Sequence, residues 1–312
     1  MKDIRADIYL YGMIVYSTIH RLAGEYPAAD GYAEIEETQI VPGGETGNSA
    51  LVLAKWGHRV KVAGPFLGRK TREGVVTFLS SRGIDCSGLH HDESYDGVRD
   101  MVLIGGASRT VFGWFGAFHA GPKRWTPPER NDIANASVVG IDPYFGDDSE
   151  EAARLCGELG KPYVTIDCAP DSALHRGAAV TVISGEYIRN QFPATEREAL
   201  LRVYTASSDG LVIFTSGASE ILFARGGGDT GRVQPCRIVP KSTLGAGDTF
   251  RGGVIHAVAC GWDDEQIVRF ASATATSVCR RFPFAIDPPG LEEITDLGAT
   301  LAVKADGKNQ TT

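Results

Sequence analysis

The sequence predicts an α/β fold in which a central, mostly parallel sheet is flanked by helices and carries a small antiparallel β lid. Three observations lead to this prediction. Short apolar segments alternate with helical segments along most of the 312-residue chain, and this rhythm favours right-handed crossovers between parallel strands. The 38 glycines are typical of a fold with many tight turns. Two early segments break the rhythm and have the pattern of antiparallel strands.

The regular elements follow from these patterns in chain order. Six short apolar segments have the composition of buried strands, with bounds at 8–11, 60–63, 138–141, 163–166, 180–183 and 211–214. Six longer segments have the composition of helices, with bounds at 47–56, 72–81, 149–159, 195–205, 249–260 and 264–280. No linker or repeat interrupts them, so we expect one domain over residues 1–312.

The lid is predicted from the two segments that break the rhythm. Polar and apolar residues alternate over 32–41, and residues 100–118 have the pattern of two strands joined by a turn at 105–108. We expect a lid built from residues 17–41 and 98–118 over the carboxyl edge of the sheet, where open α/β sheets bind ligands. An extension of the sheet edge is the alternative. Exposed apolar residues on a lid would favour a homodimer formed through it.

Composition and charge exclude several functional classes. Hydrophobic residues make up 43% and charged residues 22%, the balance of a soluble globular protein. The net charge of −8 provides no basic surface for nucleic acid, and no apolar run approaches the ~20 residues that cross a membrane. The six cysteines form none of the close pairs of zinc or redox sites, and the first residues lack the pattern of a signal peptide. We therefore expect a cytoplasmic protein without nucleic-acid or membrane partners.

One motif carries the chemistry. Gly245, Ala246 and Gly247 precede Asp248 at the start of an apolar helical segment. Small residues let the backbone approach a ligand, and a helix start directs free N–H groups and a positive dipole end toward an anion. A carboxylate on the first turn can accept a proton from a hydroxyl that attacks phosphorus. A helix cap is the alternative role of Asp248, but a cap does not require three small residues before it.

The motif at 245–250, Gly-Ala-Gly-Asp-Thr-Phe, resembles the signature of the ribokinase-like (PfkB) family of sugar and nucleoside kinases. A second segment at 42–48, Pro-Gly-Gly-Glu-Thr-Gly-Asn, resembles the amino-terminal signature of that family. The order and spacing of the two segments agree with the family over most of the chain. The resemblance implies a ribokinase-like fold and an ATP- and Mg²⁺-dependent kinase that phosphorylates a hydroxymethyl group of a sugar or sugar-like substrate.

The resemblance also implies roles for individual residues. Asp248 would be the catalytic base, and residues 245–247 would form the anion hole. The residues that contact the substrate would be Ser17, Gly43, Gly44, Asn48 and Arg109. The residues that bind the nucleotide would be Thr215, Gly217 and Ser272, with the adenine near Ser272. Glu186 would help to bind the metal.

The chain departs from the family pattern at several positions. Ser17 stands where the family usually has an aspartate that binds sugar hydroxyls, and residues 184–187, Ser-Gly-Glu-Tyr, replace its Asn-x-x-Glu motif. Ser242 replaces an aspartate ahead of the anion hole, and residues 280–283 replace a glycine-containing turn. The last two changes argue against a bound monovalent cation. None of the changes removes the base or the anion hole.

Other functions compete with a sugar kinase. A nucleoside kinase of the same family is the runner-up, with Trp114, Phe115 and Phe118 as an apolar wall for a base. A kinase-fold protein that binds its ligand with weak or no phosphoryl transfer would also account for Ser17 and the altered metal motif. A dinucleotide-binding dehydrogenase is disfavoured, because no Gly-x-Gly-x-x-Gly follows the first strand.

Overall fold

The regular elements follow the predicted alternation of strands and helices. The structure, a computed structural model, describes residues 7–106 and 108–305. Its strands are β1 (Asp7–Tyr11), β2 (Val15–Leu22), β3 (Ile35–Gly43), β4 (Arg59–Ala63), β5 (Leu67–Gly68), β6 (Asp85–Gly88), β7 (His91–Asp92), β8 (Arg99–Gly105), β9 (Ser108–Gly113), β10 (Val138–Ile141), β11 (Tyr163–Ile166), β12 (Val180–Ile183), β13 (Leu211–Phe214), β14 (Ile221–Arg225), β15 (Gly231–Val233) and β16 (Val303–Ala305). Its helices are α1 (Gly44–Lys55), α2 (Arg72–Ser80), α3 (Gly116–His119), α4 (Arg130–Asn135), α5 (Asp147–Leu159), α6 (Ala173–Arg176), α7 (Gly185–Gln191), α8 (Arg197–Ala206), α9 (Ala246–Ala259), α10 (Asp264–Cys279) and α11 (Leu291–Ala299).

The main sheet orders its strands β16-β15-β14-β13-β12-β11-β10-β1-β4-β6. Neighbouring strands from β6 to β13 are parallel, whereas the pairs from β13 to β16 are antiparallel. Among the predicted strands, 138–141, 163–166, 180–183 and 211–214 agree with the structure at both ends. The predicted mostly parallel sheet is confirmed.

Helices cover both faces of this sheet. Successive side chains of a strand point to opposite faces, so a strand that is apolar throughout presents apolar side chains to the helices on each side. In β1, Ile8 and Leu10 belong to a core completed by α1, α9 and α10. The alternate residues Tyr9 and Tyr11 belong to a second core beneath α4 and α5. The apolar run that predicts a buried strand is therefore buried on both faces, as parallel strands in α/β proteins are.

The lid is a separate sheet with the order β3-β2-β8-β9. Its outer pairs are antiparallel and its central pair, β2 with β8, is parallel. Gly105 and Ser108, the first and last residues of the predicted turn, are paired across β8 and β9, and Ala107 lies outside the described residues. The lid prediction extends too far at its end, because the chain turns into α3 after Gly113 and buries Phe118, which is 1% exposed, in the second core.

Two further predictions concern the extent and environment of the chain. The predicted single domain includes residues 1–6 and 306–312, which lie outside the described residues, so its extent stays a prediction. No helix within residues 7–106 and 108–305 is long and apolar enough to cross a membrane.

Candidate active site

The carboxyl ends of the parallel strands border a cavity of about 490 Å³, which the lid and the start of α9 complete. The cavity wall brings together most of the residues singled out from the sequence, namely Ser17, Gly43, Gly44, Asn48, Arg109, Glu186, Thr215, Gly245, Ala246, Gly247 and Asp248. Parallel strands place their carboxyl ends at one edge, and this is why positions so distant in the chain meet here.

The start of α9 depends on Gly245. This residue caps the helix with a φ of 76°, a left-handed conformation that favours glycine. A Cβ atom at this position would also lie 2.4 Å from the ring of Phe284. The first N–H groups of a helix have no acceptor within the helix, and here they border the cavity. The loop and helix together therefore provide donors and a positive dipole end for an anion.

Asp248 lies on the first turn of α9 and is held by α1. The amide of Asn48 donates a 2.7 Å hydrogen bond to its carboxylate, and the hydroxyl of Ser49 donates a 2.8 Å bond to its carbonyl oxygen. Burial raises the pKa of Asp248, whereas the Asn48 hydrogen bond and the charges of Arg251 and Arg109 lower it. The carboxylate is thus fixed in orientation and has greater affinity for a proton than an exposed aspartate has.

A buried ion pair supports the floor of the site. Asp142, which follows β10, pairs with Arg251 of α9, and both side chains are 0% exposed. Asp142 also accepts hydrogen bonds from the backbone N–H of Met13, at 2.6 Å, and from the hydroxyl of Thr46, at 3.1 Å. These contacts join the chain after β1, the start of α1 and the middle of α9. A Cβ atom on Gly12 would lie 2.1 Å from Asp142, so the approach requires glycine there.

Glu45 adds a second carboxyl to the cavity wall near Asp248. It accepts a 2.8 Å hydrogen bond from the hydroxyl of Tyr144. Burial, followed by the charges of Asp248 and Asp142, raises the pKa of Glu45 to about 8. At neutral pH Glu45 therefore retains its proton and adds no negative charge beside Asp248.

Replacing Glu45 by glutamine should make the stability of the protein less sensitive to pH. The folded state raises the pKa of Glu45 from 4.5 to about 8, so its contribution to stability is fully present below the lower value and is lost as pH rises through the higher one. At each pH we compare the melting temperature of Glu45→Gln with that of the unsubstituted protein. We expect this difference, variant minus unsubstituted protein, to be a few degrees larger at pH 9 than at pH 5. Glu36→Gln, which changes an exposed lid carboxylate, is the matched control, and an equal difference at both pH values would contradict the prediction.

The lid end of the cavity is formed by β2, β3 and β8. Ser17 is 6% exposed. A Cβ atom on Gly43 would lie 3.3 Å from its hydroxyl and 3.7 Å from the amide of Asn48. Gly43 therefore keeps the space between these two polar groups open. Asp100 of β8 also lines this end, beside Ser17, and was not singled out from the sequence.

The end of β11 presents a further carboxylate. Asp167 has a φ of 39°, and it accepts hydrogen bonds from the backbone N–H of Ser184, at 2.6 Å, and from its hydroxyl, at 2.9 Å. Burial raises the pKa of Asp167, and the charges of Glu186 and Asp248 raise it further. Both Asp167 and the exposed Glu186 line the cavity.

These two carboxylates fit a magnesium ion that is bound together with phosphates. Within the described part of the chain, no group of three histidine, cysteine, aspartate or glutamate residues could hold a metal by itself. Mg²⁺ is commonly bound by one or two carboxylates together with the phosphates of a substrate. Asp167 and Glu186 supply oxygen donors of that kind.

Arg109 connects the lid to the loop before α9. Its guanidinium donates a 2.9 Å hydrogen bond to the hydroxyl of Thr243, a residue 134 positions away. Its charge also lowers the pKa of Asp248. Arg109 therefore lies where it can compensate negative charge beside the start of α9.

Two residues predicted to bind the nucleotide do not line the cavity. Ser272 is 2% exposed within α10, and its hydroxyl has no hydrogen-bond partner among the described residues. Gly217 is exposed in the loop after Thr215. Both nucleotide-binding roles stay predictions.

The three aromatic residues predicted as a wall for a base, which follow β9, also differ in their positions. Phe115 and Phe118 line the cavity. Trp114 instead packs against Arg99, whose guanidinium lies 4.1 Å from the ring centroid.

Comparison with known proteins identifies the family. Residues 6–284 match the family model described as pfkB family carbohydrate kinase. The chain belongs to this family. The PfkB kinases are phosphotransferases that act on sugar hydroxyls, and the predicted resemblance and the ribokinase-like fold are thereby confirmed.

Two characterised relatives are similar in sequence to this PfkB protein. Ribokinase from Bacillus subtilis is 24% identical over 260 residues, a match that covers 77% of this chain and 82% of the relative. The 1-phosphofructokinase from Rhodobacter capsulatus is 33% identical over 108 residues. That second match covers 35% of this chain and spans only 33% of the relative's length.

Solved PfkB-like structures are similar over almost the whole chain. A crystal structure from Agrobacterium tumefaciens, provisionally described as a ribokinase, has a TM-score of 0.85 with 21% identity and covers 95% of this chain and 98% of its own. Arabidopsis thaliana ribokinase complexed with ribose and ATP has a TM-score of 0.75 with 16% identity, covering 95% and 99%. The nucleoside kinase of Methanocaldococcus jannaschii has a TM-score of 0.73 with 17% identity, covering 94% and 98%. At these identities the likeness concerns the fold alone.

Proposed function

We propose that this protein is an ATP-dependent kinase that phosphorylates a hydroxymethyl group of a neutral sugar or sugar-like alcohol. The observation that carries the proposal is the geometry at the start of α9. There a fixed carboxylate, Asp248, adjoins a glycine-rich turn and the free N–H groups of a helix. Family membership and the presence of ribose and ATP in a structural neighbour also support it.

In the proposed reaction, the substrate hydroxyl lies beside Asp248 and its oxygen attacks the terminal phosphorus of ATP. The proton of the hydroxyl passes to the Asp248 carboxylate as the new oxygen–phosphorus bond forms. The bond from phosphorus to the bridging oxygen breaks, and ADP leaves. The N–H groups of Gly245 and Gly247 and the guanidinium of Arg109 stabilise the charge on the transferred group. The N–H of Ala246 instead donates to the carbonyl oxygen of Thr243, at 3.3 Å. Asn48 orients the carboxylate through its 2.7 Å hydrogen bond.

Asp167 and Glu186 are the residues that would hold magnesium in this proposal. When bound, the ion neutralises negative charge on the phosphate oxygens of ATP. The nucleotide would extend along Thr215. The proposed reaction does not use a monovalent cation. We also infer a cytoplasmic location and a homodimer formed through the lid, whose Ile40 and Phe112 are 53% and 48% exposed.

A nucleoside is the second candidate substrate. Phe115 on the cavity wall provides aromatic surface of the kind that a nucleobase contacts, whereas Phe118 behind it is buried. A protein that binds a sugar and transfers little phosphate is the third candidate. The retained Asp248 argues against that third reading, because binding alone does not require a base.

An ADP-release assay separates these three candidates. The protein is incubated with ATP, MgCl₂ and, in turn, D-ribose, D-fructose, D-gluconate and adenosine, with Asp248→Asn as the control for contaminating activity. Release of ADP with a sugar, absent in the control, is the expected result. Release with adenosine alone would favour the nucleoside kinase. Binding of a sugar by calorimetry without release of ADP would overturn the proposal in favour of the binding protein.

A further inference from the structure

The paired strands β2 and β8 present a polar pair to the lid end of the cavity. Ser17 and Asp100 are direct partners in the parallel register, so their side chains lie on the same face of the lid. Val15 and Ile19, each two positions from Ser17, and Val98, two positions before Asp100, also line the cavity. Ser17 and Asp100 are therefore the polar positions in an otherwise apolar patch of these two strands.

The Asp100 carboxylate has acceptor capacity that the protein does not use. Its Oδ1 atom is buried and has no hydrogen-bond partner in residues 7–106 and 108–305. Burial raises the pKa of Asp100, and a hydrogen bond from the Ser17 hydroxyl offsets part of this rise by favouring the charged form. The lid cation that lines the cavity, Arg109, is bound to Thr243 instead. A buried carboxylate without a cation is costly unless donors reach it, and a ligand with hydroxyl donors would supply them.

We propose that Asp100, with Ser17 beside it, binds hydroxyl groups of the substrate and makes the lid end of the cavity selective for neutral polyols over sugar phosphates. This inference rests on the proposed function, whose phosphoryl transfer takes place at the other end of the cavity beside Asp248. Hydrogen bonds from two hydroxyls to one carboxylate would orient the substrate. A phosphate ester at the same end would meet like charge, which costs binding free energy.

The test compares Asp100→Asn with the unsubstituted protein. The side chains are nearly equal in size, so the change removes the charge and half of the acceptor capacity. D-Ribose and D-fructose are the neutral probes, and D-ribose 5-phosphate and D-fructose 1-phosphate are the charged probes. Dissociation constants are measured by calorimetry, and KM and kcat by ADP release where turnover occurs. Glu36→Gln, an exposed lid carboxylate outside the cavity, is the matched control.

We expect Asp100→Asn to weaken binding of the neutral probes and to raise their KM by about 10- to 100-fold, as loss of hydrogen bonds to a charged group does. The kcat, the KM for ATP and the melting temperature should change little. The ratio of the affinity for neutral sugars to the affinity for sugar phosphates should fall in parallel. The double variant Ser17→Asp/Asp100→Ser moves the carboxylate to the paired position and should recover most of the lost affinity.

An unchanged KM and dissociation constant in Asp100→Asn would overturn the proposal. A kcat that falls together with ATP affinity would also overturn it, because the residue would then act on the structure of the site rather than on the sugar. Unsubstituted protein that binds both sugar phosphates more tightly than both neutral sugars contradicts the selectivity. Failure of the proposed function gives a different result. In that case the neutral sugars bind and Asp100→Asn weakens that binding, but no ADP is released.

Discussion

Asp248→Asn should reduce kcat by about 10²- to 10⁴-fold, the usual contribution of a positioned general base. The amide keeps the size of the side chain but cannot accept a proton from the substrate hydroxyl. This loss corresponds to about 3–5 kcal/mol of transition-state stabilisation. Sugar and ATP affinity should change far less, because the amide oxygen of asparagine can still accept a hydrogen bond from the substrate hydroxyl. The measurement is steady-state kinetics together with calorimetric binding of ATP.

The alternative role of Asp248 is structural, and stability data distinguish it. Its carboxylate accepts the Asn48 hydrogen bond, and an asparagine oxygen can still accept that bond. Gly245 occupies the cap position of α9, so a structural role of Asp248 would depend on its charge at the first turn and account for a loss of at most about 1–2 kcal/mol. Asn48→Ala is the companion variant, because it removes the orienting bond and keeps the base, and it should lower kcat less than Asp248→Asn does. If Asp248→Asn instead unfolds early while its folded fraction turns over normally, the role of Asp248 is structural.

Arg251→Met should destabilise the protein by about 3–5 kcal/mol, because it leaves the buried charge of Asp142 without its partner. Both side chains of the pair are 0% exposed. Urea unfolding followed by circular dichroism measures the change. Arg154→Met is the matched control, since Arg154 forms ion pairs on the surface of α5, where its side chain is 53% exposed. Surface pairs contribute about 0–1 kcal/mol.

The double variant Asp142→Asn/Arg251→Met tests the coupling itself. Asp142→Asn removes the charge that Arg251→Met leaves unpaired. The double variant should therefore be less destabilised than the sum of the two single variants. Asp142 also holds the backbone of Met13 and the hydroxyl of Thr46, so some loss should remain. A loss in Arg251→Met no larger than that of Arg154→Met would show that the pair does not support the site.

The main sheet was predictable because its signal is local. Segments such as 138–141 and 211–214 are apolar on both faces and are bounded by turn residues, and the structure has the same bounds. β2 was less evident, because its buried and half-buried residues alternate over Val15–Leu22 directly after another strand. The chain passes from β1 through Gly12 into the lid, and nothing in the local pattern marks that change of sheet.

The site was predictable where it depends on motifs and not where it depends on pairing between distant segments. The segments at 42–48 and 245–250 carry recognisable small residues, and residues of both line the cavity. Asp100 reaches the cavity only through the register of β2 with β8. The Asp142–Arg251 pair joins residues 109 positions apart. A charged residue in an apolar helix such as α9 was the available signal for Arg251, since charged side chains are rarely buried unless they are paired.

The hydrogen bond between Asn48 and Asp248 spans 200 positions of the chain, and this has a consequence for synthesis on the ribosome. By the time β13 has emerged, the seven parallel strands from β6 to β13 can already pair, but the base and the anion hole have not been made. The sheet face that α9 and α10 cover, which includes Ile8, Leu10 and Leu211, stays open to water until those helices follow. Apolar surface exposed in this way favours aggregation. We therefore expect the nascent chain to require protection by chaperones until α10 has left the exit tunnel.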